Sequence, residues 1–240
     1  MDTIKIHRNG AKLIAHRGLS GLERENTVAA FVAAGNRSYY GIETDVHRTA
    51  DGEFVIIHDD TTGRVTGGEN LSVETSDLAA LRRLRLPDLD GRGREDLCLP
   101  TLEEYIRICK KYEKVAVLEL KNPFCREDIE KIIDIIRKES YLERVIFISF
   151  SLENCLCLRS LLPAQSVQWL VSHAVDEATV VALAESRLGL DAHYSLLSRE
   201  LVARLHSLGI VVNCWTCNDK EAAEALAEMG VDFITTNILE

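Results

Sequence analysis

The sequence predicts an α/β fold: a (β/α)8, or TIM, barrel of eight parallel strands, with one antiparallel hairpin strand after the second barrel strand. Three observations predict it. From residue 115 onward, strand-like and helix-like stretches alternate regularly, as βα units on a parallel sheet do. Nine stretches read as strands, but the few turn residues after Arg48 cannot join two parallel strands. The stretch 54–58 must therefore run antiparallel to its predecessor, which leaves eight. Finally, no Gly-rich phosphate loop follows the first strand, and this disfavours an open doubly wound sheet. A chain of 240 residues that is 46% hydrophobic suits one core, so residues 1–240 read as a single domain with a short insertion at about 60–97.

The first strand, Lys12-Leu13-Ile14-Ala15-His16, is apolar and ends on His16-Arg17-Gly18. A loop over 19–25 leads to a helix capped by Asn26 or Thr27, running to Ala34 and stopped by Gly35. Residues 41–59 form two strands folded about Ala50-Asp51-Gly52, because an Asp-Gly pair between apolar, β-branched runs is a hairpin signal. That fold lays His58 roughly opposite Glu43. Residues 60–97 are polar and rich in Gly, Arg and Asp, a surface excursion with a short helix at 76–84. Thr101 then caps a helix over 102–111, with Glu104 completing a capping box. Strands follow at 115–120, 145–149, 167–171, 190–193, 210–215 and 232–235. Helices lie between them at 126–138, 152–161, 176–187, 198–208 and 219–229, the last two closed by Gly209 and Gly230.

Composition excludes several roles. A net charge of −10 opposes sequence-independent binding to nucleic acid or anionic membrane, both of which require clustered Lys and Arg. No stretch approaches the roughly 20 apolar residues of a membrane span, and residues 1–10 are too polar for a signal peptide. The seven cysteines are odd in number and scattered, which points to reduced thiols and a cytoplasmic location. Cys214-x-x-Cys217 lies in an apolar strand with no second thiol pair at zinc spacing, and reads as core.

In a TIM barrel the chemistry sits at the C-terminal strand ends, so the polar residues there can be named without coordinates. Glu43 and Asp45 are two apart on one strand and share a face. Glu119 and Lys121 repeat the pattern inside a strand otherwise of Val, Ala and Leu, where charges are costly unless partnered. Glu43, Asp45 and Glu119 repel one another unless a cation joins them, and carboxylate oxygens suit Ca²⁺ or Mg²⁺. Arg17 and Lys121 beside that cation suit a phosphate. His16 and His58 supply a base and an acid near neutral pH, so the set reads as phosphoryl transfer without a nucleotide. Phe150 and Trp215 stand at later strand ends as pocket walls. Asn26 is a helix cap with a pocket role open to it. His7, His47 and His206 read as solvated, and His173 and His193 as strand-end residues with no carboxylate nearby in sequence.

At these same residues the chain resembles a family. The ordered set is His16-Arg17-Gly18, Glu25-Asn26-Thr27, Glu43-x-Asp45-Val46, Thr49-x-Asp51-Gly52 leading to His58-Asp59, Pro100-Thr101-Leu102-Glu103-Glu104, Glu119-Leu120-Lys121 and Trp215-Thr216-x-Asn218. It looks like that of the glycerophosphodiester phosphodiesterases, from about residue 12 to 237. The resemblance implies a TIM barrel with a Ca²⁺- or Mg²⁺-dependent site, in which Glu43, Asp45 and Glu119 bind metal and His16 and His58 are the acid–base pair. It also implies hydrolysis of glycerophosphodiesters to glycerol 3-phosphate and an alcohol, within glycerol and lipid metabolism. Arg24 stands where the family often has Pro, and Asn237 where it often has Asp. Both departures are expected to leave the metal and acid–base groups untouched. Two rival readings are a lysophospholipase D-type phosphodiesterase and a non-catalytic barrel that binds phosphorylated ligands. The sequence leaves homo-oligomerisation open.

Overall fold

The computed structural model describes residues 2–240. The chain opens with β1 (Lys12–Ala15), α1 (Val28–Gly35), β2 (Gly41–Arg48) and β3 (Phe54–Ile56). Two one-turn helices, α2 (Gly63–Thr66) and α3 (Leu78–Leu81), punctuate the following segment. Strand and helix then alternate: α4 (Leu102–Lys111), β4 (Val115–Leu120), α5 (Arg126–Lys138), β5 (Val145–Ser149), α6 (Leu152–Leu161) and β6 (Ser166–Val171). The last units are α7 (Glu177–Ser186), β7 (Gly189–His193), α8 (Arg199–Ser207), β8 (Val212–Trp215), α9 (Lys220–Met229) and β9 (Phe233–Thr236).

The strand order is β1-β9-β8-β7-β6-β5-β4-β2-β3, and β1 also pairs with β2. Eight parallel strands thus close on themselves as a TIM barrel. β3 pairs antiparallel with the end of β2, Val46 opposite Ile56, and its ladder stops there. His58 lies beyond the last pair, so the pocket geometry rather than the ladder decides what it meets. Among the described residues no helix is long and apolar enough to cross a membrane.

Local chemistry accounts for the helix starts. The Thr101 hydroxyl accepts from the Glu104 backbone N–H while the Glu104 side chain reaches back to the Thr101 N–H. Asp176, Ser198 and Asp219 cap α7, α8 and α9 in the same way on one side. Thr27, not Asn26, caps α1. Asn26 has φ +53° and is buried, because its side chain is needed elsewhere. The β1–α1 loop is tight: Gly18 has φ +77°, and a Cβ there would lie 2.7 Å from Ala30.

Most apolar side chains pack between the barrel and its helices. A smaller cluster, including Ile14, Val117, Ile148, Leu170 and Phe233, fills the lower barrel interior. One strand period above it the inward residues become polar: Glu119 above Val117 on β4, Thr235 above Phe233 on β9. The apolar plug therefore serves as the floor of a polar chamber.

The 60–97 segment has its own apolar cluster, with Val65, Val73, Leu81, Leu86 and Leu97 packed on Val55 and Ile57. The helix expected over 76–84 shrinks to the single turn Leu78–Leu81, since Asp77 makes no capping bond there and the leucines turn into this cluster instead. His47, read as solvated, is fully buried beneath the segment. Its Nδ1 lies 3.4 Å from Glu74 and its Nε2 3.3 Å from the His58 carbonyl.

Candidate active site

The β2–β4 register puts Asp45 opposite Glu119 and Glu43 opposite Val117. Carboxylate oxygens of Glu43, Asp45 and Glu119 then lie within 4.8 Å of one another, the one such group of three or more metal-ligand side chains among the described residues. All three are buried. Each is held from behind. Glu43 Oε2 accepts the Arg17 backbone N–H at 2.8 Å, and Asp45 Oδ2 accepts from Asn26 Nδ2 at 2.7 Å. Asn26 Oδ1 in turn takes the Thr44 hydroxyl at 2.7 Å. Lys121 Nζ stands 2.8 Å from Glu119 and 3.5 Å from Asp45, and Arg17 Nε 3.5 Å from Asp45.

The electrostatics of this group are unbalanced. Burial, then the neighbouring Asp45 and Glu119 charges, push the Glu43 carboxyl well above its usual range. Burial and Asp45 likewise raise Glu119, against the pull of Lys121. Burial also opposes ionisation of Asp45, but Arg17 and Lys121 outweigh it and hold that carboxyl low. Lys121 Nζ meets Glu119 Oε1 as an ion pair at 2.8 Å. Three converging buried carboxylates, two of them pushed up by burial and mutual repulsion, fit a hard divalent cation.

The two histidines flank this group. His16 Nδ1 lies 2.7 Å from Asn237 Oδ1, and its Nε2 is 4.0 Å from Glu43. Burial and the Arg17 charge lower the His16 imidazole to about 4. His58 Nδ1 lies 2.6 Å from Asp59 Oδ1. Burial lowers His58 too; Asp45 opposes this, and the Arg17 and Lys121 charges add to it. In each ring, when neutral, an oxygen acceptor on Nδ1 selects the Nδ1–H tautomer and turns Nε2 to the cavity for proton exchange.

A cavity of about 110 Å³ gathers His16, Arg17, Glu43, His58, Glu119, Lys121, Phe150 and Trp215 in its wall. Asp45 lies behind Glu43 and Glu119, outside that wall. Trp215 stands edge-on to Phe150, with ring centres 5.6 Å apart, and edge-on to His193 at 5.4 Å. The cavity thus has a charged side and an aromatic side. A larger cavity of about 600 Å³ opens on the opposite end of the barrel around Tyr40, Val115 and Phe233, away from the acidic group.

The sequence reading omits one residue of this region and leaves two incompletely placed. Asp191 also lines the cavity, buried and bonded to Asn213 Nδ2 at 3.0 Å, and burial with the Glu119 charge raises its carboxyl. It sits two residues before His193, so the reading that no carboxylate lies near that histidine is corrected; the x-Asp-x-His alternation was the available signal. Asn26, read as a helix cap with a pocket role open to it, takes the second role by supporting Asp45. Asn237 overturns the expectation that the departures avoid the acid–base groups, because it is the hydrogen-bond partner of His16.

A closed barrel whose mouth joins an acidic cluster, two imidazoles, an arginine and a lysine is an architecture suited to hydrolysis of a phosphate ester. The family model for the glycerophosphoryl diester phosphodiesterase family matches residues 16–240. A glycerophosphodiester phosphodiesterase of Caldanaerobacter subterraneus is 31% identical over 227 residues, covering 94% of this chain and 93% of its own. One of Bacillus subtilis is 28% identical, covering 93% and 82%. Among solved structures, an Oleispira antarctica phosphodiesterase in complex with the product sn-glycerol-3-phosphate superposes with a TM-score of 0.80 at 29% identity, covering 94% of this chain and 92% of that one. The chain belongs to the glycerophosphoryl diester phosphodiesterase family and, with it, to the phosphoric diester hydrolases.

Proposed function

We propose that this chain, read as one domain, is a cytoplasmic, metal-dependent phosphodiesterase that hydrolyses glycerophosphodiesters to glycerol 3-phosphate and an alcohol. One observation carries the reading: Glu43 and Glu119, with Asp45 directly behind them, share a single cavity wall with both histidines, Arg17 and Lys121. Glu43, Asp45 and Glu119 would hold Ca²⁺ or Mg²⁺, which, when bound, supplies positive charge for the phosphoryl oxygens. Arg17 and Lys121 bind the phosphate and stabilise charge that grows in the transition state. Phe150 and Trp215 wall the rest of the substrate.

The histidine environments suggest which is base and which is acid. His16, buried beside Arg17, stays neutral over the physiological range and offers the Nε2 lone pair as base. His58 is lowered less, because the Asp45 charge and the Asp59 carboxylate on Nδ1 oppose burial, so of the two rings it protonates more readily and is the better proton donor to the leaving alcohol. Both rings are in place around the cavity, which favours catalysis over mere ligand binding.

The test is incubation with glycerophosphocholine and assay for glycerol 3-phosphate, with and without EDTA. Release of glycerol 3-phosphate that EDTA abolishes and Ca²⁺ or Mg²⁺ restores supports the reading. Binding of glycerol 3-phosphate without turnover would make the chain a ligand-binding barrel. Turnover of lysophospholipids alone would make it a lysophospholipase D-type enzyme.

A further inference from the structure

Arg64, on α2 of the 60–97 segment, is not in the cavity wall, yet its guanidinium is divided between two carboxylates that each hold a wall residue. Nε meets Asp59 Oδ2 at 2.6 Å and Nη2 meets Asp59 Oδ1 at 3.0 Å. Nη1 meets Glu25 Oε2 at 2.9 Å and Nη2 meets Glu25 Oε1 at 2.8 Å. Asp59 then takes His58 Nδ1, and Glu25 takes Arg17 Nη1 at 2.9 Å. The result is an unbroken row, His58–Asp59–Arg64–Glu25–Arg17, joining an imidazole and a guanidinium of the wall. Arg24 anchors its centre, donating from Nη2 to the carbonyls of Arg64 at 3.2 Å and Val65 at 2.7 Å.

We propose that Arg64 is a positioning residue that sets His58 and Arg17 in register with one another by clamping Asp59 and Glu25. The proposal rests on the phosphodiesterase reading of the site. The guanidinium is about half exposed, where a single ion pair would contribute little to stability, so its hold on two carboxylates at once needs a geometric reason. Its fork geometry supplies one. A planar guanidinium can bind two carboxylates bidentately in fixed orientation, whereas an ammonium is a point donor that cannot. Both carboxylates also bond the same Nη2, so they crowd one another. Without the cation between them they repel, and each carries its partner with it: the Asp59 shift frees the His58 ring and the Glu25 shift frees Arg17.

The experiment compares kcat and KM on glycerophosphocholine, and the ¹⁵N ring shifts of His58, in the full chain. Arg64→Ala should lower kcat about tenfold or more, as loss of outer-shell support does at other sites. It should also turn the His58 signals from the Nδ1–H tautomer to a mixture. Arg64→Lys, which keeps the charge, should recover the fold and only part of kcat, and it carries the comparison where Arg64→Ala melts early. In an Asp59→Asn, Glu25→Gln background, adding Arg64→Ala should change kcat by less than about twofold, because its routes of action are gone. An unchanged kcat and tautomer in Arg64→Ala, or the same loss repeated in the double-variant background, overturns the proposal. If the native chain releases no glycerol 3-phosphate while Arg64→Ala still moves the His58 tautomer, the phosphodiesterase reading fails and the clamp stands.

Discussion

His16 and Asn237 meet through a hydrogen bond of 2.7 Å between Nδ1 and a carboxamide oxygen, where a carboxylate would stabilise the protonated ring far more. The amide orients the imidazole without charging it. Asn237→Asp should therefore raise the His16 titration above its lowered value of about 4. Histidine ring NMR against pH reads the shift directly, and the acid limb of kcat/KM should follow it upward. A titration unmoved by the added carboxylate would show that burial and Arg17 alone set the ring.

The acidic group predicts how stability responds to pH and metal. Glu119 rises from 4.5 to about 7 on folding, and Glu43 rises as well. Between those pH values the native state binds more protons than the unfolded chain, so their contribution is present at low pH and is lost as pH rises through the window. Asp45 acts in the opposite sense, losing its contribution only as pH falls toward about 2. The Glu119 contribution in metal-free protein, read as the difference from Glu119→Gln, should thus fall between about pH 4.5 and 7. His16, lowered from 6.5 to about 4, acts in the opposite sense over nearly the same window. Ca²⁺ or Mg²⁺ at a hundred times its Kd should return about 2.7 kcal/mol. Glu119→Gln should flatten both effects in thermal melts. A variant that keeps the full metal response would remove Glu119 from the ligand set.

Asp45 depends on Asn26, whose amide reaches it at 2.7 Å from an αL backbone. Asn26→Ala leaves the Thr44 hydroxyl and one Asp45 oxygen without their partner, at a cost of about 1–3 kcal/mol for each buried group. Metal affinity should fall by about 10- to 100-fold, as it does when outer-shell partners are lost. Isothermal titration with Ca²⁺ measures it, and native affinity in Asn26→Ala would show that Arg17 and Lys121 suffice to orient Asp45.

How far the site is legible follows from what each residue owes to local pattern. Glu43, Asp45, Glu119 and Lys121 stand out because a strand has period two and an acid inside Val-Ala-Val-Leu needs a partner. Asp191 obeys the same rule but sits in a short strand beginning with Gly189, where a lone acid resembles a turn residue. Thr101 and Glu104 are legible because a capping box is local. Asn237 and Arg64 carry no such signal: their contacts with residues 16, 25 and 59 are made by closure of the barrel and by docking of the 60–97 segment. The barrel itself held the clue to Asn237. Once β1 and β9 are neighbours, Ala15 pairs with Thr236, and the residues that follow, His16 and Asn237, must meet.

The order of chemical steps is the sharpest test of the histidine pair. A glycerol phosphodiester has a hydroxyl next to the esterified carbon, and a tethered nucleophile has an effective concentration of about 10⁵ M or more. We propose that this hydroxyl attacks the phosphorus, His16 Nε2 taking its proton while the P–O bond to the alcohol breaks and His58 protonates the departing oxygen. The cyclic 1,2-phosphate so formed is opened by water, with the proton movements reversed. His16→Ala and His58→Ala should each keep the fold and lose about 10²- to 10³-fold in kcat. A substrate whose neighbouring hydroxyl is replaced by hydrogen cannot follow this route, whereas attack by water on the open diester needs no such group. If that 2-deoxy analogue turned over at the normal rate, self-attack would be wrong, and a water activated by His16 would take its place as nucleophile.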